Sequence, residues 1–267
     1  MITRLLVGGR TLAYRIASPV ESAWRRVTGR EPLPPLWLRR HTGAVARFEI
    51  AARETAEFLD RLGLARPGET VVDIGCGAGA MVPQFARRLG PEGRYIGFDV
   101  HAPSIDWCRA RYADDPRFSF ELAAVASAYG APTGPPATSL RFPIEDAGAE
   151  LLLAKSVFTH LLAPEASHYL AETRRALKPG SAAVVTAFLF DGGAPEMELV
   201  RQAFPFGDSA GQVRWRLRGR PTAAVAYERS LFERMVGAAG LRVQWMSPGY
   251  FPGRARLTGQ DTLLLGH

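Results

Sequence analysis

The stretch "VVDIGCGAG" at residues 71–79 restricts this chain more than any other. An apolar run carries an acid, Asp73, near its end and opens at once into glycines at 75, 77 and 79. Glycine reaches backbone conformations that a Cβ disfavours, and it lets a ligand come close to the main chain. A buried strand that turns through such a loop into a helix is the opening unit of an α/β domain, with its ligand held at the loop.

The rest of the chain continues that alternation. Apolar runs predict strands at about 70–75, 94–100, 117–122, 150–156 and 182–190, with helices at about 79–89, 103–113 and 164–178 between them. Short strands separated by helices make a parallel sheet covered on both faces. After a helix over 228–239, "LRVQWMS" (241–247) and "DTLLLGH" (261–267) follow with no helix between them, so they pair antiparallel. The expected fold class is α/β: a doubly wound, seven-stranded, mostly parallel sheet with an antiparallel C-terminal hairpin strand, plus an N-terminal helical arm. Residues 1–42 are expected as an arm or lid and 43–267 as the ligand-binding domain, with inserts at 124–149 and 191–227.

Local patterns refine this outline. "SPVE" at 18–21 has the form of a capping box, which predicts a short helix starting there. Three prolines exclude helix from "EPLPPLWLRR" at 31–40. Val45, Phe48, Ala52, Ala56, Leu59 and Leu62 recur at helical spacing. In "QVRWRLRGR", Val213, Trp215 and Leu217 alternate with arginines, the pattern of a half-buried strand with a basic outer face. Both inserts leave from C-terminal strand ends, the edge where open parallel sheets bind ligands.

No apolar run reaches the roughly 18 residues that span a bilayer. The first ten residues hold too short an apolar core for a secretory signal. Cys76 and Cys108 fall in a loop and a helix, which points away from a disulfide framework and towards a reducing cytoplasm. No metal-ligand spacing is present, so no metal is expected. The net charge of +7 is uneven, with nine Arg against three acids in residues 1–50. Arg4, Arg10, Arg15, Arg25 and Arg26 beside Leu5, Leu6, Leu12, Ile16 and Trp24 suit a lid, a dimer contact or a membrane surface. No module for sequence-specific nucleic-acid recognition is visible.

Spacing alone leaves the ligand open. Gly75, Gly77 and Ala80 also satisfy the dinucleotide pattern G-x-G-x-x-G/A, with Asp99 about where its ribose-binding acid would stand. Asp73 argues against a pyrophosphate and for a cationic amino-acid moiety. No Lys-Ser/Thr follows the loop, which disfavours a nucleoside triphosphate.

With "YIGFDV" at 95–100, "SVFTHL" at 156–161, "YLAETRRALKPG" at 169–180 and the closing hairpin, the chain resembles the class I (Rossmann-like) S-adenosylmethionine-dependent methyltransferases over about residues 43–267. It is similar to a bacterial small-molecule subgroup that reads "SVFTH" after the fourth strand and ends near "G-R…Q-D", here Gly253, Arg254, Gln260 and Asp261. The resemblance implies S-adenosylmethionine as cofactor and a small-molecule acceptor, first of all a hydroxyl of a sugar or secondary metabolite, methylated by in-line displacement. It also implies roles. Asp73 holds the cofactor's ammonium group; Gly75, Gly77, Gly79 and the backbone of Lys155 and Ser156 line its methionine end. Asp99 takes the ribose hydroxyls, and Ala124 stands where an acid often meets the adenine. His160 is the candidate general base, with Tyr227 and Arg254 at the acceptor. A nicotinamide-dependent oxidoreductase and a non-catalytic S-adenosylmethionine-binding protein are the alternatives.

Overall fold

The computed structural model describes residues 2–41, 44–249 and 259–267. Strands β1 (Thr70–Ile74), β2 (Arg94–Asp99), β3 (Phe118–Leu122), β4 (Ala149–Ala154) and β5 (Leu177–Phe190) lie parallel in the order β3-β2-β1-β4-β5. The crossovers carry α4 (Val82–Arg88), α5 (Ala102–Arg111) and α6 (Ala163–Ala176), each with a proline at its first or second position, where a missing N–H costs nothing. At the end of the chain, β9 (Arg242–Ser247) and β10 (Asp261–Gly266) pair antiparallel, and β10 inserts antiparallel beside β5. These seven strands are the sheet expected from the sequence.

Alternation along each strand sends successive side chains to opposite faces. Val71, Leu151, Leu153 and Val184 pack with Phe85 of α4, Ile105 of α5 and Ala52, Ala56 and Leu59 of α3 (Phe48–Arg61). Val72, Ile74, Leu152 and Val185 pack on the other face with Leu170 of α6 and Phe232 of α8 (Arg229–Ala238). Glu150, the second residue of β4, accepts the Thr70 N–H at 2.8 Å and pairs with Lys178, so it ties three strand starts together.

The insert at 191–227 is more ordered than its sequence suggests. It holds α7 (Ala194–Ala203), β6 (Phe206–Gly207), β7 (Val213–Trp215) and most of β8 (Val225–Glu228). Strand β5 forks to receive it: Ala182–Ala187 pair with β10, whereas Phe188–Phe190 pair with β8. The fully buried Asp261 sits at the fork and accepts the N–H groups of Leu189 and Gly249, each at 2.9 Å. The expected basic strand is shorter than the alternation of Val213, Trp215 and Leu217 implied. It ends at Trp215, and the chain turns where the Arg220 N–H bonds the Leu217 carbonyl.

The arm also departs from expectation. Helix α1 (Ile2–Val27) runs straight through Pro19, so Ser18 is interior and not a cap. The Ser18 hydroxyl donates to the Tyr14 carbonyl at 2.6 Å and accepts the Leu36 N–H at 2.9 Å. Glu21, the other half of the expected box, pairs with Arg25 and with the buried Arg39. Arg39 belongs to α2 (Leu36–His41), which starts directly after Pro35. The prolines thus position a helix start instead of excluding helix from all of 31–40.

Candidate functional site

The C-terminal ends of β1, β2 and β4 meet at one cavity of about 590 Å³, within the usual size of small-molecule sites. Asp73, Gly75, Gly77, Asp99, Lys155, Ser156 and His160 all line it. A Cβ on Gly75 would stand 2.6 Å from Val157 Cγ2, so a side chain there would collide with the opposite wall. Gly75 also has φ of +70°, which glycine adopts without strain. The Gly77 N–H donates to Asp99 Oδ2 and the His101 N–H to Asp99 Oδ1, both at 2.8 Å. Two backbone amides therefore fix the carboxylate plane at the C-terminal end of β2.

Asp73 is 4% exposed and accepts a 2.6 Å hydrogen bond from the buried Tyr95 hydroxyl. Burial raises its carboxyl to about 7, with the Tyr95 bond and the Lys155 charge opposing that rise. The Lys155 ammonium donates to the Ala51 carbonyl at 3.1 Å and Thr55 Oγ1 at 2.9 Å, both on α3. Burial lowers its pKa, against the pull of Asp73. A ligand cation beside Asp73 would restore the full negative charge that burial disfavours.

Ser156 occupies the left-handed region at φ +59°, uncommon for a residue with a side chain. Its N–H donates to Thr186 Oγ1 at 2.7 Å, and its hydroxyl accepts from Gln260 Nε2 at 3.0 Å. The Thr186 hydroxyl donates to Gln260 Oε1 at 2.6 Å. This network gives Gln260 a place in the cavity wall, next to the Asp261 that holds the fork of β5.

His160 ends a short turn after β4. Its Nδ1 lies 3.0 Å from the Thr222 carbonyl, which can only accept, so Nδ1 carries the proton and Nε2 is left as the basic nitrogen. Tyr129 packs on the ring at 4.5 Å, its hydroxyl 3.2 Å from the same Nδ1. Thr222 comes from one insert and Tyr129 from the other, so both converge on this imidazole. Burial holds its pKa below the ordinary histidine value.

Three expected positions fall elsewhere. Tyr227 is not at the acceptor: it is fully buried, and its hydroxyl donates to the Leu161 carbonyl at 2.5 Å and lies 3.1 Å from that of Phe158. It braces the His160 turn from behind. Ala124 is exposed, and its neighbours Ala123 and Val125 line the cavity instead, in a tight turn where the Val125 N–H donates to the Ala123 carbonyl at 2.8 Å. Gly79 packs towards Cys108 and Val82, outside the lining. Arg254 lies outside the described residues. Cys76 and Cys108 are free and buried, and burial pushes both thiols up, as suits fillers and not nucleophiles.

Tyr129, Thr222, Tyr169 and Glu165 of the lining were not singled out from the sequence, nor were Arg40 and Arg47 on the arm side. Tyr129 is the one phenol of its insert, the only signal that marked it.

Residues 71–180 match a family described as a methyltransferase domain. An arsenite methyltransferase of Halobacterium salinarum is 29% identical over 122 residues, covering 45% of this chain and 27% of its own. The nocamycin O-methyltransferase of Saccharothrix syringae is 34% identical over 67 residues, 25% of this chain and 22% of its own. This chain spans less than half the length of these curated relatives. A solved structure of an S-adenosylmethionine-dependent methyltransferase from Leishmania major superposes with a TM-score of 0.56 at 10% identity, covering 84% of this chain and 74% of that one. That likeness carries the fold. The domain match decides between the two cofactors that glycine spacing left open, in favour of S-adenosylmethionine.

Proposed function

We propose, from the premise that residues 71–180 are a methyltransferase domain of the class I fold with S-adenosylmethionine as its cofactor, that this chain methylates a hydroxyl of a small molecule such as a sugar or secondary metabolite. The observation that carries the reading is the Nδ1 contact of His160 with the Thr222 carbonyl, which leaves Nε2 as the basic nitrogen of a histidine that lines the cavity.

When bound, the cofactor supplies a methyl group on a sulfonium sulfur that departs as a neutral thioether. Asp73 would hold the ammonium group, and Asp99, whose carboxylate the Gly77 and His101 amides orient, would take the ribose hydroxyls. Gly75, Gly77 and the backbone of Lys155 and Ser156 give the methionine end close access, with Ala123 and Val125 on the adenine side. His160 Nε2 takes the acceptor's hydroxyl proton as the new oxygen–carbon bond forms. Tyr129, Tyr169 and Glu165 of the cavity lining would give the acceptor polar partners. Alignment supplies most of the rate in such a displacement, and proton removal the remainder. The buried free thiols suit a reducing compartment, the cytoplasm.

Calorimetry with S-adenosylmethionine and NAD, followed by a panel of hydroxylated acceptors, tests the reading. Binding of the first ligand alone, with turnover on a hydroxylated acceptor that His160→Ala lowers by about a hundredfold or more, is the expected result. Cofactor binding without turnover on any acceptor class would favour a non-catalytic binding protein.

A further inference from the structure

Helix α1 is turned the wrong way round for a helix that belongs only to its own domain. A surface helix ordinarily buries its apolar stripe and shows its polar face to water. Here the inner face is polar. Ser18, Glu21 and Arg25 bind the rest of the chain through Leu36, Arg39 and Glu49, and Tyr14 and Arg15 stack with Arg40 and Trp37. The outer face carries Leu12, Ile16, Val20, Trp24 and Val27, each between 48% and 86% exposed. Steps of four, four, four and three residues put all five on one ridge of the helix. The inner contacts hold that ridge outward, since Ser18 and Glu21 lie on the far side of the same turns.

We propose that this ridge docks the protein on an anionic lipid surface. Charge selects that occupant. Residues 1–50 hold nine Arg and three acids, and all three acids are already paired: Glu21 with Arg25 and Arg39, Glu31 with Arg87, Glu49 with Arg25. Arg15, Arg26 and Arg30 have no carboxylate partner among the described residues. Arg30 stacks 4.4 Å over the ring of Trp24, which places a cation and an indole together at the end of the apolar ridge. An apolar ridge with Trp and flanking arginines is the composition that lies in a headgroup layer. A second copy is the weaker occupant, because an isologous contact would press two segments of the same strong positive charge together. No helix among the described residues is long and apolar enough to cross a bilayer, so α1 lies along the surface.

The test is flotation of the full chain with vesicles of phosphatidylcholine alone and of phosphatidylcholine mixed with phosphatidylglycerol. At low salt the bound fraction should be at least about tenfold greater on the anionic vesicles. High salt should reduce it, and the double variant Ile16→Glu/Val20→Glu should abolish it while leaving the melting temperature unchanged. Arg26→Glu, which alters charge but not the ridge, should weaken binding to anionic vesicles alone. Equal or absent flotation with both vesicle types would overturn the proposal without reference to any variant. So would light scattering that finds a dimer in the wild-type chain and a monomer in Ile16→Glu/Val20→Glu.

Discussion

The Tyr95 hydroxyl donates to the Asp73 carboxylate over 2.6 Å, with both residues buried from water. One neutral hydrogen bond is a poor substitute for solvent, and the carboxyl is pushed up to about 7 even with Lys155 nearby. Burial therefore brings the titration of this acid into the neutral range.

Cofactor affinity should follow that proton. An ammonium group beside Asp73 needs the ionised carboxylate, so binding below about pH 7 must expel a proton and weaken by up to about tenfold per pH unit. Calorimetry in buffers of different ionisation enthalpy should show proton release on the acid side of neutrality and none well above it. Proton uptake, or a pH-independent affinity in Asp73-containing protein, would remove the ammonium role.

The same shift affects stability. The folded carboxyl near 7 stands far above the roughly 3.9 of an unfolded aspartate. The folded state then holds a proton that the unfolded chain has lost, so this group's contribution is present at low pH and disappears as pH rises towards 7. Asp73→Asn should flatten that slope and melt higher than wild type at pH about 8. A melting profile across this range for both proteins is the check.

Asp99→Ala should abolish measurable S-adenosylmethionine binding while the fold survives. Two amides, those of Gly77 and His101, lose their acceptor and relax towards water, at a cost of about 1–3 kcal/mol in denaturant unfolding. Unchanged cofactor affinity in that variant would end the ribose assignment.

Thr186→Val should lower unfolding stability by about 1–3 kcal/mol, because it leaves the Ser156 N–H unpaired in the buried network. Thr186→Ser should restore most of the loss. The strained Ser156 backbone would also be freed, so the cavity wall should loosen and cofactor affinity should fall with stability.

What could be read beforehand divides along a physical line. The seven-stranded sheet was legible because its central strands are separate buried apolar runs and its last two follow one another with no helix between, and Asp73, Gly75 and Asp99 because their chemistry lies within a few residues of a strand end. Strands β6 and β7, of two and three residues, are too short to show any period. Tyr129 and Thr222 stand 93 positions apart in irregular inserts, and only folding brings them to one ring. Ser18 misled for a related reason: its hydroxyl prefers a distant partner, the Leu36 amide, over the local cap its neighbours suggest. Tyr227 carries a phenol that suits an acceptor site, yet its carbonyl partners fix it in the core.

His160 gives the sharpest test of the chemistry. Its Nδ1 proton is committed to the Thr222 carbonyl, and burial keeps the ring's pKa below the ordinary value, so the imidazole is neutral and basic throughout the neutral range. His160→Ala should lower turnover by about a hundredfold or more, the usual worth of a positioned general base. Cofactor affinity should stay unchanged, since the residues proposed for the ammonium and ribose groups, Asp73 and Asp99, lie on β1 and β2. Wild-type turnover, measured with saturating cofactor, should fall as pH drops below the ordinary histidine range and should stay level above it. In His160→Ala the residual rate should instead climb with pH, because the acceptor's own ionisation then supplies the nucleophile. A variant with near-normal turnover and an unaltered pH profile would return His160 to a purely structural part in the turn that Tyr227 braces.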